Sequence, residues 1–315
     1  MLVKDGLHIV GTGRCIPKKV ITNDDLSKIV DTNDEWISTR TGIKSRHFVE
    51  EETNLDLSVG AAKMAISNSG IDKSEIGAVV LATVKADTLV PSQACMVQKL
   101  LELPEDIPCF DINAACSGFM YGMQIARGLL LQSDKKYALV IGSETLSKLL
   151  DMSDRGTCIL FGDGAGAAVI ELSDEHRFIS VLGARGDNEV LFCPNDSGKD
   201  RYVSMLGSDV FKFAVSTVPK TINELLEKAK LNADDIDLYV CHQANIRIIE
   251  SVAKRLKQDM SKFYVNVDRF GNTSSASIPI ALSEANEKGL LKPGMKIIAV
   301  GFGAGLTWGG AYLEW

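Results

Sequence analysis

The sequence predicts an α/β fold assembled from two similar halves, about residues 1–172 and 173–315. Three observations carry that expectation. Short β-branched runs alternate with stretches of helical periodicity, the order of these elements repeats, and the repeat holds one register over three elements.

The register is a shift of 160 positions. It lays "IDKSEIGAVVLA" (71–82) over "LNADDIDLYVCH" (231–242), "FDINAACSG" (110–118) over "FGNTSSASI" (270–278), and "YALVIGSE" (137–144) over "IIAVGFGA" (297–304). "GAGAAVIEL" (164–172) also resembles "TWGGAYLEW" (307–315), at a shift of 143. Each half thus reads as helix, apolar strand, small-residue helix, apolar strand and a terminal strand pair. "DLSVGAAKMAISNSG" and "VPKTINELLEKAK" carry helical periodicity. "GAVVLATV", "KYALVIGSE" and "KIIAVGFG" are runs of the kind buried in parallel or mixed sheets. The small-residue helices that start near Cys116 and Asn272 are the expected central pair, since Ala, Ser and Gly permit close packing.

The bulk numbers narrow the function classes. With 45% hydrophobic and 24% charged residues, the 315-residue chain has an ordinary soluble globular composition. A net charge of −7 argues against a general nucleic-acid binder, which needs a basic footprint. Seven cysteines without C-x-x-C spacing suggest neither a disulfide framework nor a zinc site, and no other metal site is expected. Free thiols fit a reducing cytosol. The start, "MLVKDGLHIVGTG", lacks an apolar signal region, and no apolar run approaches ~18 residues. The expectation is a cytoplasmic protein without membrane insertion.

Two glycine-rich segments, "GDGAGAA" (162–168) and "GFGAGLTWGG" (301–310), invite a dinucleotide reading. Neither fits G-x-G-x-x-G, and strand-like runs follow both where phosphate binding needs a helix N-terminus. "GDGAGAA" is expected to be a tight glycine turn between strands.

Cys116 follows a strand-like run and opens a helix, where partial positive charge and unpaired N–H groups favour a thiolate. Taken alone, a cysteine among alanines is more often a small buried core residue. The second half changes that balance. His242 stands in "CHQAN" (241–245) at the end of an apolar strand, where α/β proteins place active sites. Asn272, in "FGNTSSAS" (270–277), opens the helix that matches the Cys116 region, although such an asparagine is often only a helix cap. Cys116, His242 and Asn272 come from equivalent tips of the two halves and are expected to meet in one cleft.

Several segments, in this order along the chain, carry a family resemblance: "GTGRCIP", "DTNDEWISTRTGI" (31–43), "AACSGF" (114–119), "FGDGAGAAV" (161–169), "HQAN" (242–245), "GNTSSAS" (271–277) and "GFGAGLTWGG" (301–310). With the duplication, the chain resembles the β-ketoacyl-acyl-carrier-protein synthase III family of the thiolase superfamily over essentially its whole length. The resemblance implies a five-layered αβαβα thiolase-like fold and a homodimer. It also implies condensation of an acyl-CoA primer with malonyl-acyl carrier protein through an acyl-cysteine, with acyl-CoA as substrate and no cofactor. Cys116 would carry the acyl group, while His242 and Asn272 would donate hydrogen bonds to the enolate that decarboxylation leaves. Trp36 and Arg155 match positions that hold the CoA adenine. Thr32, Arg40, Gly207, Phe211, Ala244 and Asn245 match other CoA or pantetheine positions. Gly303 and Gly305 are candidates for a second oxyanion hole, together with the Cys116 N–H. Where the family often has an aromatic that crosses the dimer interface to close the primer pocket, this chain has Val90, with Phe302 and Leu89 as compensating candidates.

Segment 245–258 is an amphipathic helix with Arg247, Lys254, Arg255 and Lys257 on its polar face. That face is either plain solvation or a landing site for an acidic carrier protein. A degradative thiolase is disfavoured, because "GFGAGLTWGG" offers no second cysteine. Elongating synthases pair the cysteine with two histidines, whereas here the partners are His and Asn. A related acyltransferase of secondary metabolism, a cysteine hydrolase and a non-catalytic acyl-binding protein remain as alternatives.

Overall fold

Buried β-branched and alanine-rich strands form two sheets in the computed structural model, which describes residues 6–194 and 202–315. The first sheet contains β1 (Gly6–Cys15), β2 (Ile76–Ala82), β3 (Cys109–Ile112), β4 (Tyr137–Glu144) and β5 (Gly164–Ser173), in the order β1-β5-β4-β2-β3. The second contains β6 (Phe178–Asp187), β7 (Leu238–Cys241), β8 (Lys296–Gly303) and β9 (Gly305–Glu314), in the order β6-β9-β8-β7. The two orders run in step. In each sheet the first two pairings are antiparallel, and the next, β4 with β2 or β8 with β7, is parallel.

The longest helices packed on these sheets are α2 (Asn54–Ser69), α3 (Gly118–Leu130), α4 (Gly207–Ala229), α5 (Ile246–Leu256) and α6 (Ser277–Glu287); a shorter helix, Gln93–Leu100, joins α2 on the first sheet, and α1 (Asp34–Thr41) lies against α5. All seven residues of β2 are buried, so the strand must be covered on both faces. Ala78 and Val80 point inward to α3 and α6, while Val79 and Leu81 point outward to Leu57, Ala61 and Ala65 of α2. The second sheet repeats the arrangement. Val240 and Ala299 face the central helices, and Tyr239 and Ile298 face α4 and α5. The result is five layers: outer helices, sheet, central helix pair, sheet and outer helices. α6 is buried all round from Ser277 to Ala285, as a helix between two sheets must be. Among the described residues no helix is long and apolar enough to cross a membrane.

The glycine-rich segments differ from expectation in one case. Gly164 to Ala168 of "GDGAGAA" lie inside β5, not in a turn. The glycines are there for close approach: a Cβ on Gly166 would stand 2.6 Å from the Ile280 nitrogen and 2.7 Å from the Pro279 carbonyl carbon of α6. "GFGAGLTWGG" is the β8–β9 hairpin, joined at Ala304, with Gly303 paired to Thr307.

Because the obstructing atoms at Gly166 are backbone, the fold predicts that Gly166→Ala lowers stability by about 2–3 kcal/mol. The check is a urea midpoint at unchanged m-value; an unshifted midpoint would contradict this packing.

Candidate active site

Strands β2 and β4 of one sheet, and β7 and β8 of the other, end at a common place. Two short turns, Ala115–Ser117 and Ser274–Ala276, meet there before leading into α3 and α6. Ala115 and Ser274 both have left-handed φ, +46° and +49°. Such a conformation costs a non-glycine residue about 1–3 kcal/mol and persists only where its surroundings enforce it. Gly303, ending β8, presses on the first turn: a Cβ there would lie 2.6 Å from the Cys116 nitrogen.

Cys116, His242 and Asn272 line a single cavity of about 620 Å³ at this junction. Gly303, Phe302 and Phe211 form its apolar walls, and Ala244, Asn245 and Gly207 lie further out. Trp36, Arg40, Arg155 and Arg247 also line it. Two guanidiniums stand against the Trp36 ring, Arg40 at 4.5 Å and Arg155 at 4.6 Å from the ring centre. This is a flat, cationic and aromatic grip suited to a stacked base. Asn245 caps α5 by accepting the Arg247 N–H, and its amide donates to the Arg40 carbonyl at 3.0 Å.

Other predicted residues are not among the cavity's lining. Thr32 lies off it, and Gly305 is exposed at the hairpin tip, where Leu306 lines the cavity instead. Val90 and Leu89 are 84% and 88% exposed, on a loop that does not line this chain's own cavity. Lys254 and Arg255 are exposed on α5, as the amphipathic pattern requires, and the exposed Lys257 is the left-handed C-cap at which the helix ends, short of the predicted 258.

Burial sets the protonation states. It pushes the Cys116 thiol up to about 12, opposed by hydrogen bonding from Ser274. The expected thiolate is therefore corrected to a resting thiol. Cys116 sits in the turn ahead of α3 and is only 7% exposed, and that burial favours the neutral thiol. Burial also lowers His242 to about 3, which keeps its ring neutral. Its Nδ1 lies 2.6 Å from Ser277 Oγ, which accepts the Gln243 N–H at 3.4 Å. The Ser277 hydroxyl hydrogen is thus free to go to Nδ1, leaving the ring proton on Nε2 as a donor.

Asn272 is fixed through backbone and side chain alike. Its N–H donates to Leu160 O at 2.8 Å, and its carbonyl accepts from Gly162 N at 2.9 Å. Its Oδ1 accepts the Ser274 N–H at 2.9 Å, which leaves Nδ2 as the free donor. The asparagine therefore does not cap α6, whose N-cap is Ala276.

Four supporting residues escaped the sequence reading. Ser274 and Ser277 lay inside a quoted motif but carried no distinguishing pattern. Glu144 did leave a signal, a lone acid ending the apolar run "YALVIGSE". Arg46 left none. It is fully buried, donates to Asn23 Oδ1 and Ile159 O at 2.7 Å each, and so ties the Trp36 region to the segment that clamps Asn272.

Comparison with known proteins agrees along the whole chain. Residues 110–186 match the family model for 3-oxoacyl-[acyl-carrier-protein] synthase III, and residues 226–315 match its C-terminal model. The chain is 47% identical to the β-ketoacyl-[acyl-carrier-protein] synthase III of Clostridium acetobutylicum, over 99% of both chains. It is 48% identical to that of Fusobacterium nucleatum, over 98% of both. The crystal structure of 3-oxoacyl-[acyl-carrier-protein] synthase III from Aquifex aeolicus superposes with a TM-score of 0.94 at 43% identity, covering 98% of this chain and 100% of that one.

Glu144 gives the site a pH signature. Burial raises its carboxyl from an ordinary 4.5 to about 7. Between those values the folded chain holds a proton that the unfolded chain has lost, so this residue's contribution to stability falls as pH rises from about 4.5 to about 7. Relative to the parent, Glu144→Gln should therefore gain stability across that window and level off above it. Thermal midpoints measured from pH 5 to 8 check this; a difference independent of pH would contradict it.

Proposed function

The chain belongs to the β-ketoacyl-[acyl-carrier-protein] synthase III family, and from that premise we propose how its cleft works. It is an acyl-transferring condensing enzyme that joins an acyl-CoA primer to malonyl-acyl carrier protein in the initiating step of fatty acid synthesis. Relatives at 43–48% identity over nearly the whole chain do not favour the secondary-metabolism alternative. The observation that carries the mechanism is the single apolar cavity holding a thiol, a neutral imidazole and a carboxamide.

The primer enters past Trp36, Arg40 and Arg155. Cys116 Sγ attacks the thioester carbonyl, a carbon–sulfur bond to the enzyme forms, and CoA leaves carrying the proton that the thiol gives up. The N–H groups of Cys116 and Gly303 are the candidate donors to the carbonyl oxygen in this step. Malonyl-acyl carrier protein then occupies the same cavity and loses CO₂, and the electron pair moves onto the thioester oxygen. The Nε2–H of His242 and the Nδ2–H of Asn272 stabilise that enolate. Both donors are neutral, so neither has to lose a proton to act. The carbanion attacks the acyl-Cys116 carbonyl, and Cys116 leaves as a thiolate that takes a proton from solvent.

We assign docking of the acidic carrier to Arg247, Lys254, Arg255 and Lys257 on α5, because the helix starts at the cavity wall and Arg247 lines it. We assign Val90 and Leu89 to contact with a second copy in a homodimer, because large apolar side chains this exposed need cover. Seven free cysteines support a reducing, cytoplasmic setting.

Half-reactions test the roles. Cys116→Ala should abolish formation of the acyl adduct from a panel of acyl-CoAs, read by intact-protein mass. Asn272→Ala should acylate within threefold of the parent, yet form 3-ketoacyl product on the order of 10²–10³-fold more slowly. Equal loss in both half-reactions would remove Asn272 from the enolate step. Charge reversal at Lys254 and Arg255, which do not line the cavity, should raise KM for the carrier substrate and leave acylation by acyl-CoA unchanged. If KM does not move, the basic face serves only solvation.

A further inference from the structure

Three acids are buried among the described residues, and each is held differently. Glu284 is paired with Arg269 and Lys288. Asp163 accepts from Ser147 and Val49, away from the cleft. Glu144 is only 1% exposed and has no cation among its hydrogen-bond partners, and it faces the turn that carries the active-site residues.

Glu144 ends β4 and ties the rim of its own sheet to the turn before α6. On one side its Oε2 accepts the Val84 N–H at 3.0 Å and the Thr83 hydroxyl at 3.3 Å, both just past β2. On the other, its Oε1 accepts the hydroxyls of Ser274 at 2.9 Å and Ser275 at 2.8 Å. Ser274 is the residue held at φ +49°, and its N–H is the group that fixes Asn272 Oδ1. The strand end cannot drift relative to the turn: a Cβ on Gly142 would fall 2.3 Å from the Ser275 carbonyl oxygen. A continuous line of contacts thus runs from the Glu144 carboxyl, through Ser274, to the Asn272 carboxamide.

We propose that Glu144 is a positioning residue for the condensation half-reaction, gripping the Ser274 and Ser275 hydroxyls so that the Ser274 N–H aims the Asn272 amide at the enolate oxygen. The proposal rests on the reading of Asn272 as an enolate donor. Glu144 touches no substrate; its effect passes through Asn272. A glutamine at this position keeps the volume but cannot accept at both ends, since its NH₂ meets either the Val84 N–H or the two serine hydroxyls.

The test uses Glu144→Gln, Asn272→Ala and the double variant, with acylation by acyl-CoA and single-turnover condensation of the pre-acylated protein measured separately. Glu144→Gln should acylate within threefold of the parent and condense tenfold or more slowly, with KM for malonyl-acyl carrier protein unchanged. In the Asn272→Ala background the glutamine should cost nothing further, because its target is gone. Condensation within threefold of the parent, equal loss of both half-reactions, or losses that multiply in the double variant would each overturn the proposal. If Asn272→Ala itself condenses normally, the reading of Asn272 fails, and the proposal with it. Should Glu144→Gln not fold, Ser274→Gly carries the test, because glycine keeps the left-handed turn and the N–H while removing the hydroxyl. It should slow condensation tenfold or more, and by more than it slows acylation; an unchanged condensation rate would again overturn the proposal.

Discussion

The cleft depends on one contact, the meeting of the Ala115–Ser117 turn with the Ser274–Ala276 turn between the two sheets. Each turn contains a non-glycine residue at positive φ, and neither conformation is favourable in isolation. The second is held by buried hydrogen bonds from the Ser274 and Ser275 hydroxyls to Glu144. The first is held by steric closure against Gly303. Without these constraints Cys116 and Asn272 would sit on two independent helix starts.

Dryness is the second governing property. Burial keeps the Cys116 thiol protonated and the His242 ring neutral, and Asn272 has no charge to lose. A resting site of neutral groups imposes no fixed charge on the two thioesters it must hold in turn. In such an environment an N–H donor aimed at a developing oxyanion is worth more than in water, because no solvent competes and little must reorganise. Charge is confined to the rim, where Arg40 and Arg155 stand against Trp36 and Arg247 begins α5. The cleft thus keeps its cations at the rim and neutral groups within.

How much of this was legible in the sequence follows from which physics leaves a pattern. The apolar runs of β2, β4 and β8 were readable because burial on both faces demands consecutive hydrophobic residues. Cys116, His242 and Asn272 were found because each closes or opens a periodic element, and the structure brings them to one cavity. "GDGAGAA" was misread as a turn, because glycine needed for helix-to-sheet approach looks the same in sequence as glycine needed for φ. The protonation state of Cys116 was misread because a helix start is visible in sequence while the depth of burial is not. Ser274, Ser277 and Arg46 carry no periodic signal at all. Their roles exist only once segments far apart in the chain are brought together.

The central claim is that one cleft takes an acyl group from CoA onto Cys116 and gives it to the carrier-bound malonyl unit. The most direct measurement forms the adduct with isotopically labelled acyl-CoA, removes the CoA, confirms the label on the Cys116 peptide and then adds malonyl-acyl carrier protein. The account predicts that the label leaves Cys116 in a single turnover and appears in 3-ketoacyl-acyl carrier protein, with one CO₂ released per label transferred. A label that stays on the protein, maps to another residue, or leaves as free acid would contradict it.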